Sequence, residues 1–141
     1  MMGIDCGSHI KLLDHTGDAA FLVTADTRED LLKHSVIALM CLMGIRRGGE
    51  TKFLEKVTLN GPKFEENIIS VLNRILVILE IDSIAAVETR NVSVKDNAIS
   101  LELFGRRIRP VSIKGEVIKA VTYHDLNYSE NPYSIRITVD L

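Results

Sequence analysis

Phe64-Glu65-Glu66-Asn67-Ile68-Ile69-Ser70-Val71-Leu72-Asn73-Arg74-Ile75-Leu76-Val77-Ile78-Leu79 is the stretch on which the reading of the fold turns. Phe64, Ile68, Leu72, Ile75 and Leu79 recur at helical spacing along one face, with Ile69 and Leu76 beside it. Such a stripe is wide enough to make this helix the main core element, packed on a sheet. Upstream, Asn60-Gly61-Pro62 combines a turn with a proline suited to the helix's first turn, and about Lys52 to Leu59 reads as a strand. Downstream the rhythm changes at Ile84. A strand from about Ile84 to Val94, a turn at Lys95-Asp96-Asn97 and a strand from Ile99 to Phe104 make a hairpin.

Further out, Thr27 with Glu29 and Asp30 behind it is a sound helix start, and Gly44 a natural stop. Between them Leu32, Val36, Leu39, Met40 and Met43 keep helical spacing, and Met40, Cys41 and Met43 read as core filler. His34 reads as helix surface. Strands are expected at His9 to Leu13, Ala19 to Thr24, Glu116 to His124 and Tyr133 to Leu141, with a turn at Asn127 to Pro132. The last alternates Ile135, Ile137 and Val139 against Arg136, Thr138 and Asp140. Two helices and about seven strands, not regularly alternating, indicate an α+β domain spanning 1–141, with both helices packed on one face of a mainly antiparallel or mixed sheet.

With 141 residues, 46% hydrophobic and 26% charged, the chain is long enough for one core and too apolar to be disordered. A formal net charge of -2 gives no overall field for gripping a polyanion, so any nucleic-acid contact would have to be local. The paired Arg46 and Arg47 read as solvated surface. Arg106, Arg107 and Arg109 read as a loop that is either a solvated hairpin end or a contact for a partner's acidic patch or RNA. Cys6 and Cys41 fit neither a zinc spacing nor a secreted disulfide framework, which points to a reducing cytoplasm. No apolar run is long and uninterrupted enough for a leader or a membrane span.

The densest polar chemistry is Asp14-His15-Thr16-Gly17-Asp18, just ahead of the strand at Ala19. Asp, Thr and Gly are also ordinary turn residues. Asp140 and the carboxylate of Leu141 put two oxygen-rich anions at the other end of the chain. Beside Asp18 they would make a cluster of like charges that something must neutralise. A hard divalent cation such as Ca²⁺ or Mg²⁺ is one answer, and Lys119 an alternative or additional counter-charge. His15 and His124 could serve as general bases, which leaves open a small metal-dependent hydrolase acting through metal-bound water. No nucleophile elbow and no glycine-rich phosphate loop is present, so the chain is not expected to bind a nucleotide itself.

Asp14-His15-Thr16-Gly17-Asp18, Lys119-Ala120-Val121-Thr122-Tyr123-His124 and the ending Val139-Asp140-Leu141, in this order and spacing, resemble the archease family. The helices beginning Thr27-Arg28-Glu29-Asp30 and containing Leu72-Asn73-Arg74 fall where that family has its two, so the resemblance runs the whole length. It implies a non-catalytic cytoplasmic cofactor of the GTP-dependent tRNA-splicing RNA ligase, associated with tRNA only indirectly. Such a protein promotes guanylylation of the ligase's active-site histidine and multiple turnover, GTP being bound by the ligase. The family's metal site maps onto Asp18, Asp140 and Leu141, with Ca²⁺ the expected occupant and Mg²⁺ or Mn²⁺ alternatives. Lys119 is the matched basic residue, and Asp14, His15, Thr16 and His124 are candidates for partner contact or activation. Departures are Gly17 where alanine is more usual, Arg74 where an acidic residue is, and the lack of tryptophan.

Overall fold

A computed structural model describes residues 6–14, 18–109 and 115–141, with the main chain alone at Asp14. The elements are β1 (Ile10–Asp14), β2 (Asp18–Ala25), α1 (Arg28–Leu42), β3 (Lys52–Leu59), α2 (Phe64–Asp82), β4 (Ile84–Lys95), β5 (Ala98–Arg107), β6 (Ala120–Ser129) and β7 (Tyr133–Asp140). They form two sheets where the sequence suggests one. Strands β1-β2-β7-β6 make a four-stranded sheet and β3-β5-β4 a three-stranded one, every pairing antiparallel. The α+β class and the two helices stand, while the single sheet does not. Periodicity tells that a segment is a strand and which face it buries, but not which strand it pairs with.

Helix α1 packs on β2 and β4, and α2 on β6, β4 and β5, so the helices form one layer shared by both sheets. That explains their different surfaces. Leu31, Leu32, Val36, Ala38, Leu39, Met40 and Leu42 bury α1 nearly all round. In α2, Ile68, Ile69, Leu72 and Ile75 are fully buried while Arg74, Val77 and Ile81 face out. Cutting one of those buried side chains to Ala would cost about 2–5 kcal/mol.

Local signals set the element ends. Thr27 caps α1, its Oγ1 accepting from the Asp30 N–H at 3.0 Å, and Gly44 takes φ 69° just past the end. Pro62 lies two residues ahead of α2 rather than in its first turn, because Lys63 is the N-cap. Asn67 holds the entry: it accepts from the Gly61 N–H at 3.1 Å, and its amide donates to the carbonyls of Gly61 (3.0 Å) and Asn97 (2.7 Å). A Cβ at Gly61 would meet Asn67 Oδ1 at 2.6 Å, so a side chain there would push the Asn67 amide out of these bonds. The same asparagine fastens the β4–β5 turn, where Asp96 has φ 56°, to the helix layer.

Several sequence expectations change. Arg106 and Arg107 belong to β5, not to a loop. β6 begins at Ala120 and runs to Ser129, later at both ends than expected, since Ile118 and Val121 are both buried and strict alternation fails before the strand starts. His34 is not plain helix surface, for its Nδ1 lies 2.9 Å from Thr24 O and its ring stacks on His9 at 4.6 Å. Cys41 is bonded to Cys6 across 35 residues, with Cα atoms 5.9 Å apart, which fits disulfide geometry. Spacing could not reveal that pairing, and it removes the cysteine argument for a reducing compartment. No helix among the described residues is long and apolar enough to cross a membrane.

Candidate functional site

The antiparallel pairing of β2 with β7 decides where the acidic residues go. Its register sets Asp18 opposite Asp140, and β6 completes the row with Ala120 opposite Asp140. Directly opposed residues have Cβ atoms roughly 4.5–5.5 Å apart, so residues 122 positions apart in sequence share one patch. Ala19 and Val139, the next row, point into the core, which leaves Asp18 half-buried and Asp140 exposed on the outer face. Two opposed carboxylates repel unless something offsets their charge.

Lys119 stands just ahead of β6 rather than within it, exposed, its N–H donating to the Asp140 carbonyl at 2.8 Å. Leu141 follows Asp140 with its side chain packed against the core. On the same outer face, two residues from Asp140, Thr138 Oγ1 is buried and has no hydrogen-bond partner among the described residues. Carboxylate oxygens suit a hard cation. Among the described residues no group of three His, Cys, Asp or Glu side chains could hold a metal, so a complete shell would need Leu141's oxygens or water beside the two aspartates.

Asn73 of α2, which helix periodicity does not single out, positions this end. Its amide donates to the Val121 carbonyl and its Oδ1 accepts from the Val121 N–H, both at 2.9 Å. Here a side chain completes the backbone bonding of β6, the sheet's edge strand, next to the row that carries Asp140. A polar residue on the border of an apolar stripe was the available signal. Arg74, one residue on, forks onto Glu55 of β3 at 2.8 and 2.7 Å. Hydrogen bonding from Arg74 holds the Glu55 carboxyl below its ordinary value, and the same contact raises Arg74.

The other sequence candidates are His124, Asp14, His15 and Thr16. His124 is exposed, its Nε2 3.3 Å from Asp125. Its stretch of β6 is irregular, the register with β7 shifting between Thr122 and Asn127. Asp14 pairs with Ala19, one row away. His15 and Thr16 lie outside the described residues. A recess of about 380 Å³ beside Lys119 is lined by Met43, Leu76, Leu79, Ile108, Val117 and Ile118. Val117 and Ile81 are both exposed, so the outer surface is more apolar than the charged residues of the helices imply.

Comparison with known proteins agrees with this architecture. The model of the Archease protein family (MTH1598/TM1083) matches residues 11–141. "Protein archease" of Methanosarcina barkeri is 24% identical over 142 residues, covering 96% of this chain and 97% of that protein. Its Methanosarcina acetivorans counterpart is 26% identical over 145 residues, with the same two coverages. The solution structure of Methanobacterium thermoautotrophicum protein 1598 superposes with TM-score 0.64 at 19% identity, covering 94% of this chain and 99% of that one. A Thermotoga maritima crystal structure, described as an archease and possible chaperone, gives TM-score 0.62 at 19% identity, with coverages of 92% and 94%.

Proposed function

We propose, from the premise that this chain belongs to the archease protein family, that it is a metal-binding protein cofactor that activates a tRNA-splicing RNA ligase in the cytoplasm. In this reading the ligase binds GTP and performs guanylylation of its own histidine, and this chain promotes that step and repeated turnover without catalysing a reaction itself. The observation that carries the reading is the opposition of Asp18 and Asp140 across the β2–β7 ladder.

Asp18 and Asp140 would hold a divalent cation, Ca²⁺ before Mg²⁺ or Mn²⁺, with oxygens of Leu141 completing the set. Bound there, the cation would supply concentrated positive charge at the sheet end. The chain's own residues do the rest. The β2–β7 register sets the spacing of the two carboxylates, Asn73 pins β6 to α2, and the Lys119–Asp140 backbone bond fixes the approach to the row. Lys119, exposed and lining the apolar recess, would be a contact offered to the ligase. The test adds catalytic amounts of this protein to a cognate ligase with GTP and Mn²⁺ and follows ligase guanylylation. Stimulation should vanish with Asp18→Ala or Asp140→Ala and weaken with Lys119→Ala. Full stimulation by both aspartate variants overturns the site.

A further inference from the structure

We infer that the outer face of the β3-β5-β4 sheet, with the Arg46–Gly49 loop folded onto its end, is a binding surface for single-stranded nucleic acid. The helices cover the other face of this sheet. On the open face, β3–β5 pairing sets Phe53 opposite Phe104, ring centroids 5.6 Å apart and edge-to-face. The Arg90 guanidinium lies 3.9 Å over the Phe104 ring, while Phe53 remains 54% exposed on an edge strand, open to a planar base.

The same sheet end gathers cations from two distant parts of the sequence. Arg106 Nη2 donates to the Arg46 carbonyl at 2.5 Å and its Nε to the Gly48 carbonyl at 3.4 Å. Gly48 and Gly49, with φ of 88° and 79°, let the loop turn onto β5. Arg46 and Arg47 are thereby held, exposed, at the end where Lys52 stands opposite Gly105 and where Arg107 and Arg109 continue the chain. Carboxylates on this sheet and at its ends include Glu50, Asp82, Glu88 and Glu102. Glu88 is paired with Arg90, and Glu102 accepts from Asn91 Nδ2 at 2.6 Å.

Arginines alone would suit an acidic protein equally well. The exposed phenylalanine beside them favours nucleic acid, since a base offers a π-face to stack and its backbone a phosphate for guanidinium forks. An open antiparallel sheet bearing aromatics, backed by helices, is also a known way of presenting single strands. The near-zero net charge is no objection, because it sums this basic end with a carboxylate-bearing one.

The test measures fluorescence anisotropy of labelled single-stranded dodecamers of uridylate and of deoxythymidylate, with no ligase and no metal, so it is independent of the reading above. Binding is expected at about 50 mM salt and should weaken steeply as salt rises. Phe53→Ala, which removes an exposed ring and leaves the core intact, should weaken binding roughly 5–100-fold. Arg46→Glu with Arg47→Glu should weaken it at least about tenfold and flatten the salt dependence. Thermal melts of both variants matching the parent establish that they fold. The inference fails if neither dodecamer binds. It fails equally if Phe53→Ala binds like the parent and polyglutamate displaces the oligonucleotide charge for charge, which would assign the arginines to an acidic protein.

Discussion

The two sheets of this molecule share a helix layer but differ in what they turn outward. The four-stranded sheet sets Asp18 opposite Asp140 at one end. The three-stranded sheet turns out Phe53, Phe104 and Arg90 and gathers arginines at its end. A net charge of -2 conceals this polarity, because it averages two regions of opposite sign. The fastenings differ too. Asn73 ties the acidic sheet to α2 through neutral backbone hydrogen bonds, whereas an ion pair, Arg74 with Glu55, ties β3 of the basic sheet to the next residue of that helix.

The two sheets are expected to differ most at the carboxylates. If they hold the cation, Asp140→Asn should lower Ca²⁺ affinity by at least about tenfold in calorimetric titration, a loss on the scale seen when even the outer partners of metal ligands are removed. Chelation should lower the melting temperature of the parent and leave that of the variant unchanged. Equal Ca²⁺ affinity in parent and variant would erase the distinction between the two sheets.

Next in size is the tie between the segment ahead of β1 and helix α1. Reduction, or Cys6→Ser, opens a 35-residue closed loop and should cost about 2–4 kcal/mol in denaturant unfolding. Thiol titration of the unfolded, unreduced protein should find no free thiol at Cys6 or Cys41.

Asn73→Ala leaves both polar groups of Val121 without their helix partner and should cost about 1–3 kcal/mol, with faster amide exchange along β6 than along β5. Uniformly faster exchange in both sheets would mean that the clasp is not local to the acidic end.

The smallest effect is expected from Arg74→Ala, about 0.2–1 kcal/mol, because this pair is substantially exposed. Its sign with pH is definite. The folded Glu55 carboxyl titrates below its ordinary value, so the pair's stabilisation is fully present above that value and is lost as pH falls through the lowered one. Parent and variant unfolding curves should therefore converge on acidification. A gap that persists in acid would show that Arg74 acts through packing instead.

Much of this architecture could be read from local pattern. Strand β3 was legible to the residue and α1's cap to the atom, because a helix start and an alternating strand are written in neighbouring residues. The edges of β6 were not, since its limits depend on Asn73 and on β7 rather than on its own alternation. Among the site residues, Asp18 and Asp140 stood out as carboxylates beside strands, whereas Asn73 looked like one more polar residue of an amphipathic helix. The arginines at 46 and 106 were visible as separate groups, but no rule of spacing joins residues 60 positions apart.

By itself, then, the sequence determined the class, the two helices and the core faces of most strands. Only the tertiary structure decided that there are two sheets, that Asp18 faces Asp140, that Cys6 meets Cys41, and that Phe53 stands beside a basic sheet end. The physical reason is the range of the forces involved. Periodicity and capping act within a turn or two of chain, whereas strand pairing and charge assembly follow from which segments share a core, and that is settled by the whole molecule at once.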